Sequence, residues 1–324
     1  MIDFTRAFDS AWERMQVILF RPFDIGKWFA IGLSAFLAGL IQGGNGLNSM
    51  PNTNDFKTIT HPTTVHAQTT PPSVHDMISK MLAPFSSTHL SMSVFVVAFI
   101  VGLIVGFGIL ILFAWLGSRG QFMFLDNIVR NRGEIGWPWS HYARQANSYM
   151  IFYLLVVFAS CLVILPILAI VVIMCIPLYQ QERWPTGGEV GGFIALGIVY
   201  FVASIALTTF LFLFREFGAA IMFRRGITVR PALAEVFKII ARHPGSIIVF
   251  ILLRIAIYIG VVILAIVICC FTLCIGQLPY IGTVILLPVL IFVKCFSLDC
   301  LAQFGPEYDV FTVDVPPTPP LPPG

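Results

Sequence analysis

This sequence is poor in charge. Asp, Glu, Lys and Arg make up 11% of its 324 residues, against 58% apolar residues, and its mean hydropathy is +0.90. Soluble domains carry about 25% charged residues, because they cover their surface with solvated groups. A water-soluble fold is therefore excluded, and a bilayer is the solvent that suits this composition. The net charge of +3 is too small for a nucleic-acid binder, and the long apolar runs exclude disordered, collagen-like and disulfide-scaffold classes.

Catalytic motifs are missing as well. There is no GxSxG elbow, no P-loop, no HExxH and no closely spaced carboxylate pair inside an apolar run. The chain reads as a non-enzyme with no cofactor. Its seven cysteines, Cys161, Cys175, Cys269, Cys270, Cys274, Cys295 and Cys300, lie in or beside apolar runs, where small residues suit helix packing. Cys270 and Cys274 share a helix face beside Cys269, but no histidine or carboxylate is near in sequence to complete a soft-metal site. His61, His66, His75 and His89 are spaced like no known metal site. No metal is expected.

What the chain has is hydrocarbon in membrane-sized lengths. Crossing about 30 Å of hydrocarbon takes roughly 20 apolar residues. Six stretches approach or exceed that: 28–41, 90–117, 149–178, 190–214, 246–276 and 278–298. The expected fold is an all-α, polytopic membrane bundle of about six spans over 28–300, with an amphipathic segment at 1–27, an exterior loop at 42–89 and a proline-rich tail at 301–324. The first stretch is short, about 21 Å of helix. Pro166, Pro177, Pro279 and Pro288 are expected to kink or end their helices, since proline removes a backbone donor.

The basic residues set the orientation. Connections 118–148 and 215–245 hold ten Lys and Arg, while 42–89 and 179–189 hold three, so the basic loops and both termini face the cytoplasm. In residues 4–20, Phe4, Phe8, Trp12, Met15 and Leu19 recur at helical spacing opposite Asp3, Arg6, Asp9, Glu13 and Arg14. This pattern predicts a helix lying on the membrane surface. Acids mixed among its bases argue against a signal peptide. A second amphipathic piece runs from Val74 to Phe85. Trp28, Trp115, Trp137, Trp139, Tyr179 and Trp184 are expected as interfacial anchors, and Gly102 and Gly106 form a GxxxG that favours close helix approach.

The two basic loops match at an offset of 93 residues: Arg132, Gly133 and Pro138 fall on Arg225, Gly226 and Pro231. Each reads as a cytoplasmic elbow, turning at Arg-Gly and restarting a short helix near the proline. A parallel duplication and a chance match both fit. The tail that follows Val315, PPTPPLPPG, has PxxP spacings that a partner's aromatic groove accepts, or it is a stiff solvated end.

Arg254 is the costliest residue. It lies about 13 Å into its helix, a depth at which a guanidinium needs a partner or water. It either binds an anionic solute or headgroup, pairs with Asp126, Glu216 or Asp299, or snorkels inward. Lys294, near the inner end of the last stretch, is expected to snorkel. The candidate binding residues are Arg254, Arg132 and Arg225.

Three segments, Arg21-PFDIGKWFAIGLSAFLAGL, Ser118-RGQFMFLDNIVRNRGEIGWPW and Gln303-FGPEYDVF, resemble a family of uncharacterised multi-span membrane proteins of bacteria and archaea, defined by a domain of unknown function. The resemblance runs from residue 1 to about 311, apart from the exterior loop and the tail. It implies a polytopic helical protein with no assigned activity. More loosely, the arrangement is similar to the membrane domain of some glycerophosphodiester phosphodiesterases, without their catalytic residues. The resulting expectation is a protein of the bacterial cytoplasmic membrane that organises lipids, anionic headgroups among them, or a protein partner reached through its tail. The alternative is a transporter or channel for a small anionic or amphiphilic solute that uses Arg254.

Overall fold

A computed structural model describes residues 3–41, 92–180, 186–271 and 279–312. The exterior loop with its amphipathic piece and four histidines, Trp184, Cys274 and the PxxP sequence lie outside the described residues, as do the side chains of Tyr179, Cys269 and Cys270.

The described residues are helical, with no strand. In chain order the helices are α1 (Phe4–Phe20), α2 (Ile25–Leu40), α3 (Met92–Val129), α4 (Gly136–His141), α5 (Ala143–Gln180) and α6 (Gly187–Leu213). A π-helical turn, Phe214–Gly218, leads into α7 (Ala219–Arg225), α8 (Val229–Arg242), α9 (Pro244–Phe271), α10 (Pro279–Ile285) and α11 (Leu287–Ala302). A 3-10 turn at Pro306–Tyr308 follows. Four stretches, Val96–Val129, Ala143–Ile173, Val190–Arg225 and Pro244–Val267, are long and apolar enough to cross a membrane.

The remaining two expected spans differ from that pattern. The first is the short helix α2. The last is not one helix: it breaks at Leu286 between α10 and α11, where Pro288 sits in the first turn of α11 and removes a donor. Pro166 and Pro177 do not end α5, which continues through both. That is tolerated where surrounding groups satisfy the freed carbonyls.

The chain forms two compact units. One comprises 52–111 and 154–209, and its described helical segments expose apolar side chains: Leu103, Phe158, Val199 and Phe201 are all more than half exposed. Gly102 and Gly106 face open space here, so the expected GxxxG contact is absent among the described residues.

The other unit comprises 1–51, 112–153 and 210–324 and holds a packed core around Phe122, Phe214, Phe217, Phe250 and Phe296. In it α2 and α3 approach closely. A Cβ on Gly120 would stand 2.5 Å from the Ala38 amide nitrogen, and one on Gly117 2.6 Å from that of Ile41. Only glycine allows the two backbones so near. The α1 helix turns Ala7, Ala11, Met15, Ile18 and Leu19 onto a neighbouring helix, α11, while Phe8 and Trp12 stay exposed. The stripe buried against α11 is the one carrying the alanines, and Phe8 and Trp12 sit at its flank with their rings edge-on to Phe292. The start of α1 is fixed by Asp3, whose N–H donates to Gln303 Oε1 at 2.7 Å while Gln303 Nε2 donates back to its carbonyl at 2.9 Å.

Candidate functional site

The π turn at Phe214–Gly218 supplies the central group. A π turn inserts an extra residue into a helix and re-aims the side chains around it. Here it directs Glu216 into the core, where the side chain is only 6% exposed. Arg254 Nη2 donates to Glu216 Oε1 at 2.9 Å, and Lys294 Nζ donates to Oε2 at 3.2 Å. Arg215 reaches Oε1 at 3.5 Å from a more exposed position. Arg254 also donates to the Val293 carbonyl at 3.4 Å, and its guanidinium lies 5.4 Å from the Phe212 ring centroid. Three cations thus surround one carboxylate.

Of the three partners open to Arg254, the structure uses Glu216. The sequence reading placed Glu216 beyond the end of its span, but helical backbone continues to Arg225. Lys294 does not snorkel. It is 7% exposed, because Glu216 provides the counter-charge that an ammonium needs when removed from water.

Asp126 organises the first elbow. Fully buried on α3, it accepts from Arg132 Nε at 3.1 Å and Nη2 at 2.9 Å, pairs with Arg130 at 3.0 Å and accepts from the Tyr142 hydroxyl at 3.1 Å. Both guanidiniums lie against the Trp137 ring, at 4.8 and 4.5 Å from its centroid. Burial, followed by the Asp126 charge, pushes the Tyr142 hydroxyl well above the usual tyrosine range. In this setting Trp137 is a platform for cations.

The second elbow is built differently. Arg225 stands 3.7 Å from Glu235 and 3.6 Å from Glu307, over the Tyr308 ring. Tyr308 donates its O–H to Glu235 Oε2 at 3.0 Å. Hydrogen bonds from Lys238 and then Tyr308 hold the Glu235 carboxyl below the ordinary carboxylate range. Burial, then the bond to Glu235, pushes Tyr308 up to about 12. The left-handed residue is Gly226 (φ +66°) here and Asn131 (φ +52°) in the first elbow. An offset of 93 places Gly226 on Gly133, two positions past Asn131, so the two turns are out of register.

Arg254, Arg132 and Arg225 therefore belong to three separate networks. A fourth charged site, which the sequence did not suggest, joins Arg14 to Asp299 at 3.4 Å with the guanidinium 3.7 Å over the Phe311 ring. Among the described residues, no group of three or more His, Cys, Asp or Glu could hold a metal ion. Of the ten basic residues in the two loops, Arg130, Arg132, Arg215, Arg225 and Lys238 pair with carboxylates. Arg119 donates to the Trp139 carbonyl and Asn147. Arg144, Arg224, Arg230 and Arg242 make no ion pair among the described residues.

No curated protein and no solved structure matches this chain. Residues 2–305, from the start of α1 through the end of α11, match a family of unknown function, DUF7544. The chain belongs to that family.

Proposed function

We propose that this chain is a non-enzymatic, multi-pass protein of the bacterial cytoplasmic membrane that organises anionic lipids or a protein partner at the cytoplasmic face. The observation that carries this reading is the closed state of the Glu216 cluster. Arg254 and Lys294 spend their charge on Glu216 within a packed core, and two grooves lined by described residues of this unit, about 610 and 370 Å³, are lined by none of the three. A buried pair held this way fixes helices to one another.

The lipid contact falls to the cations that remain. Each Lys or Arg beside an anionic leaflet gains roughly 1 kcal/mol, so Arg144, Arg224, Arg230 and Arg242 together supply about 4 kcal/mol, and not the sum for all ten. In this reading α2 and the broken α10–α11 pair cross beside the four long helices, giving about six spans, and the basic bias of the loops puts both termini inside. The proline-rich tail is then positioned to meet a cytoplasmic partner. The test is extraction of the full-length chain with its surrounding lipid in an amphipathic polymer. Enrichment of anionic lipid over the bulk membrane is expected; bulk composition around the protein would contradict it.

One observation favours a second reading. Three cations on one carboxylate leave an excess of positive charge that a small anionic solute would neutralise, which suits a transporter using Arg254. Uptake of such a solute by proteoliposomes, lost in R254A, would select it.

A further inference from the structure

A groove on the packed unit has a composition that the ion-pair networks do not use. About 610 Å³ in volume, it opens between α1, α9 and α11. That lies within the roughly 300–1,000 Å³ of single-ligand sites. Met15 and Phe20 from α1, Leu264 from α9, and Pro288, Val289 and Phe292 from α11 form its carbon walls. Phe292 is held by edge contacts from Phe8 at 4.9 Å and Trp12 at 6.1 Å between ring centroids. Trp12 and Phe20 line the groove and remain about half exposed, at 52% and 49%.

One end of the trough is different. Arg21, at the C-terminal end of α1, lines it with an exposed guanidinium that makes no hydrogen bond or ion pair among the described residues. The carboxylate nearest in sequence, Asp24, is occupied in accepting from the Gly26 and Lys27 amides that start α2. The other polar groups in the walls are the Gln16 amide and the Trp12 indole N–H.

These features select the occupant. An extended peptide in such a trough would need partners for its N–H and C=O groups, and the carbon walls offer none. A hydrocarbon chain needs no partners. A neutral lipid would leave Arg21 unmatched, whereas a phosphodiester with no compensating cation of its own would pair with it. We propose that the groove holds an acyl chain of one anionic phospholipid, with its phosphate against Arg21. This rests on the lipid-organising reading above and names its site and headgroup class.

The experiment is native mass spectrometry of the full-length, delipidated protein titrated with dioleoyl phosphatidylglycerol or dioleoyl phosphatidylcholine. The wild-type protein is expected to retain one phosphatidylglycerol at about fivefold lower concentration than phosphatidylcholine, the effect of one cation beside an anionic headgroup. R21A removes that difference and R21K keeps it. L264W places an indole in the trough and weakens retention of both lipids. Arg21 is exposed, so R21A reports even if L264W does not fold. If the wild type prefers phosphatidylglycerol and R21A retains the same preference, the groove assignment is overturned while the lipid-organising reading stands. If the wild type has no preference, both fall.

Discussion

Replacing Glu216 with glutamine removes one negative charge from the cluster while keeping the shape of the side chain and most of its hydrogen-bonding atoms. Arg254 and Lys294, 10% and 7% exposed, then face each other without a counter-ion. At an effective dielectric constant of about 20, contacts near 3 Å are each worth roughly 5 kcal/mol of gross attraction, most of which desolvation cancels in the intact protein. The mutation removes the attraction and leaves the desolvation cost, so a loss of about 3–5 kcal/mol is expected. Arg215, 29% exposed, turns to solvent and adds little. Followed by intrinsic fluorescence on heating in detergent, the loss corresponds to a fall in midpoint on the order of 10 °C. The triple variant E216L/R254M/K294M removes both the charges and their desolvation cost and is expected to recover most of the loss. An E216Q midpoint within about 2–4 °C of wild type, equivalent to roughly 1 kcal/mol, would refute the reasoning. So would a triple variant as unstable as E216Q.

Three other expectations follow from the same structure. G120V drives a branched side chain into the α2 backbone and is expected to cost about 1–3 kcal/mol, whereas G106V, at an open position, leaves the unfolding midpoint unchanged. D126N leaves Arg130 and Arg132 without their buried carboxylate and is expected to raise hydrogen exchange in 126–142 by at least tenfold, with little change in 225–242. The folded-state pKa of Glu235 is depressed, so its contribution is present above the unfolded value and is lost as pH falls through the folded one. Acid is expected to loosen residues 303–312 to proteolysis in the wild type. The Y308F variant starts looser and shows a weaker pH response, by a few tenths of a kcal/mol at this partly exposed site.

The sequence made the fold class legible because apolar length alone decides it: four long helices fall where hydrocarbon runs do. Proline chemistry at Pro288 correctly marked the break before α11, but Pro166 shows that the same residue can continue a helix. Arg254 was recognisable by its depth, and Glu216 was among its expected partners. That Glu216 is central was not legible, because the π turn that aims it inward has no sequence signature beyond Phe-Arg-Glu-Phe-Gly at the end of an apolar run. Lys294 was misread for a related reason. Nearness to a helix end suggests snorkelling, and only the packing of α11 against the π turn reveals a buried partner. The elbows share residues at a fixed offset, yet their arginines find different carboxylates, since partner choice depends on contacts far along the chain, such as Glu307. The alanine stripe that seats α1 was overlooked because the large rings beside it carry the stronger hydrophobic signal.

The account turns on whether the charged cluster around Glu216 is closed to water. Covalent footprinting of the unmodified, full-length protein in a native-like bilayer tests this directly, with a water-soluble amine acylating reagent read out by peptide mass spectrometry. Lys238, 57% exposed, serves as the internal reference for Lys294, 7% exposed. A closed structural network predicts that Lys294 stays unmodified while Lys238 is labelled to completion. Labelling of Lys294 at a rate comparable to Lys238 would mean that water reaches the three cations, which would contradict the structural role and favour a solute path through Arg254.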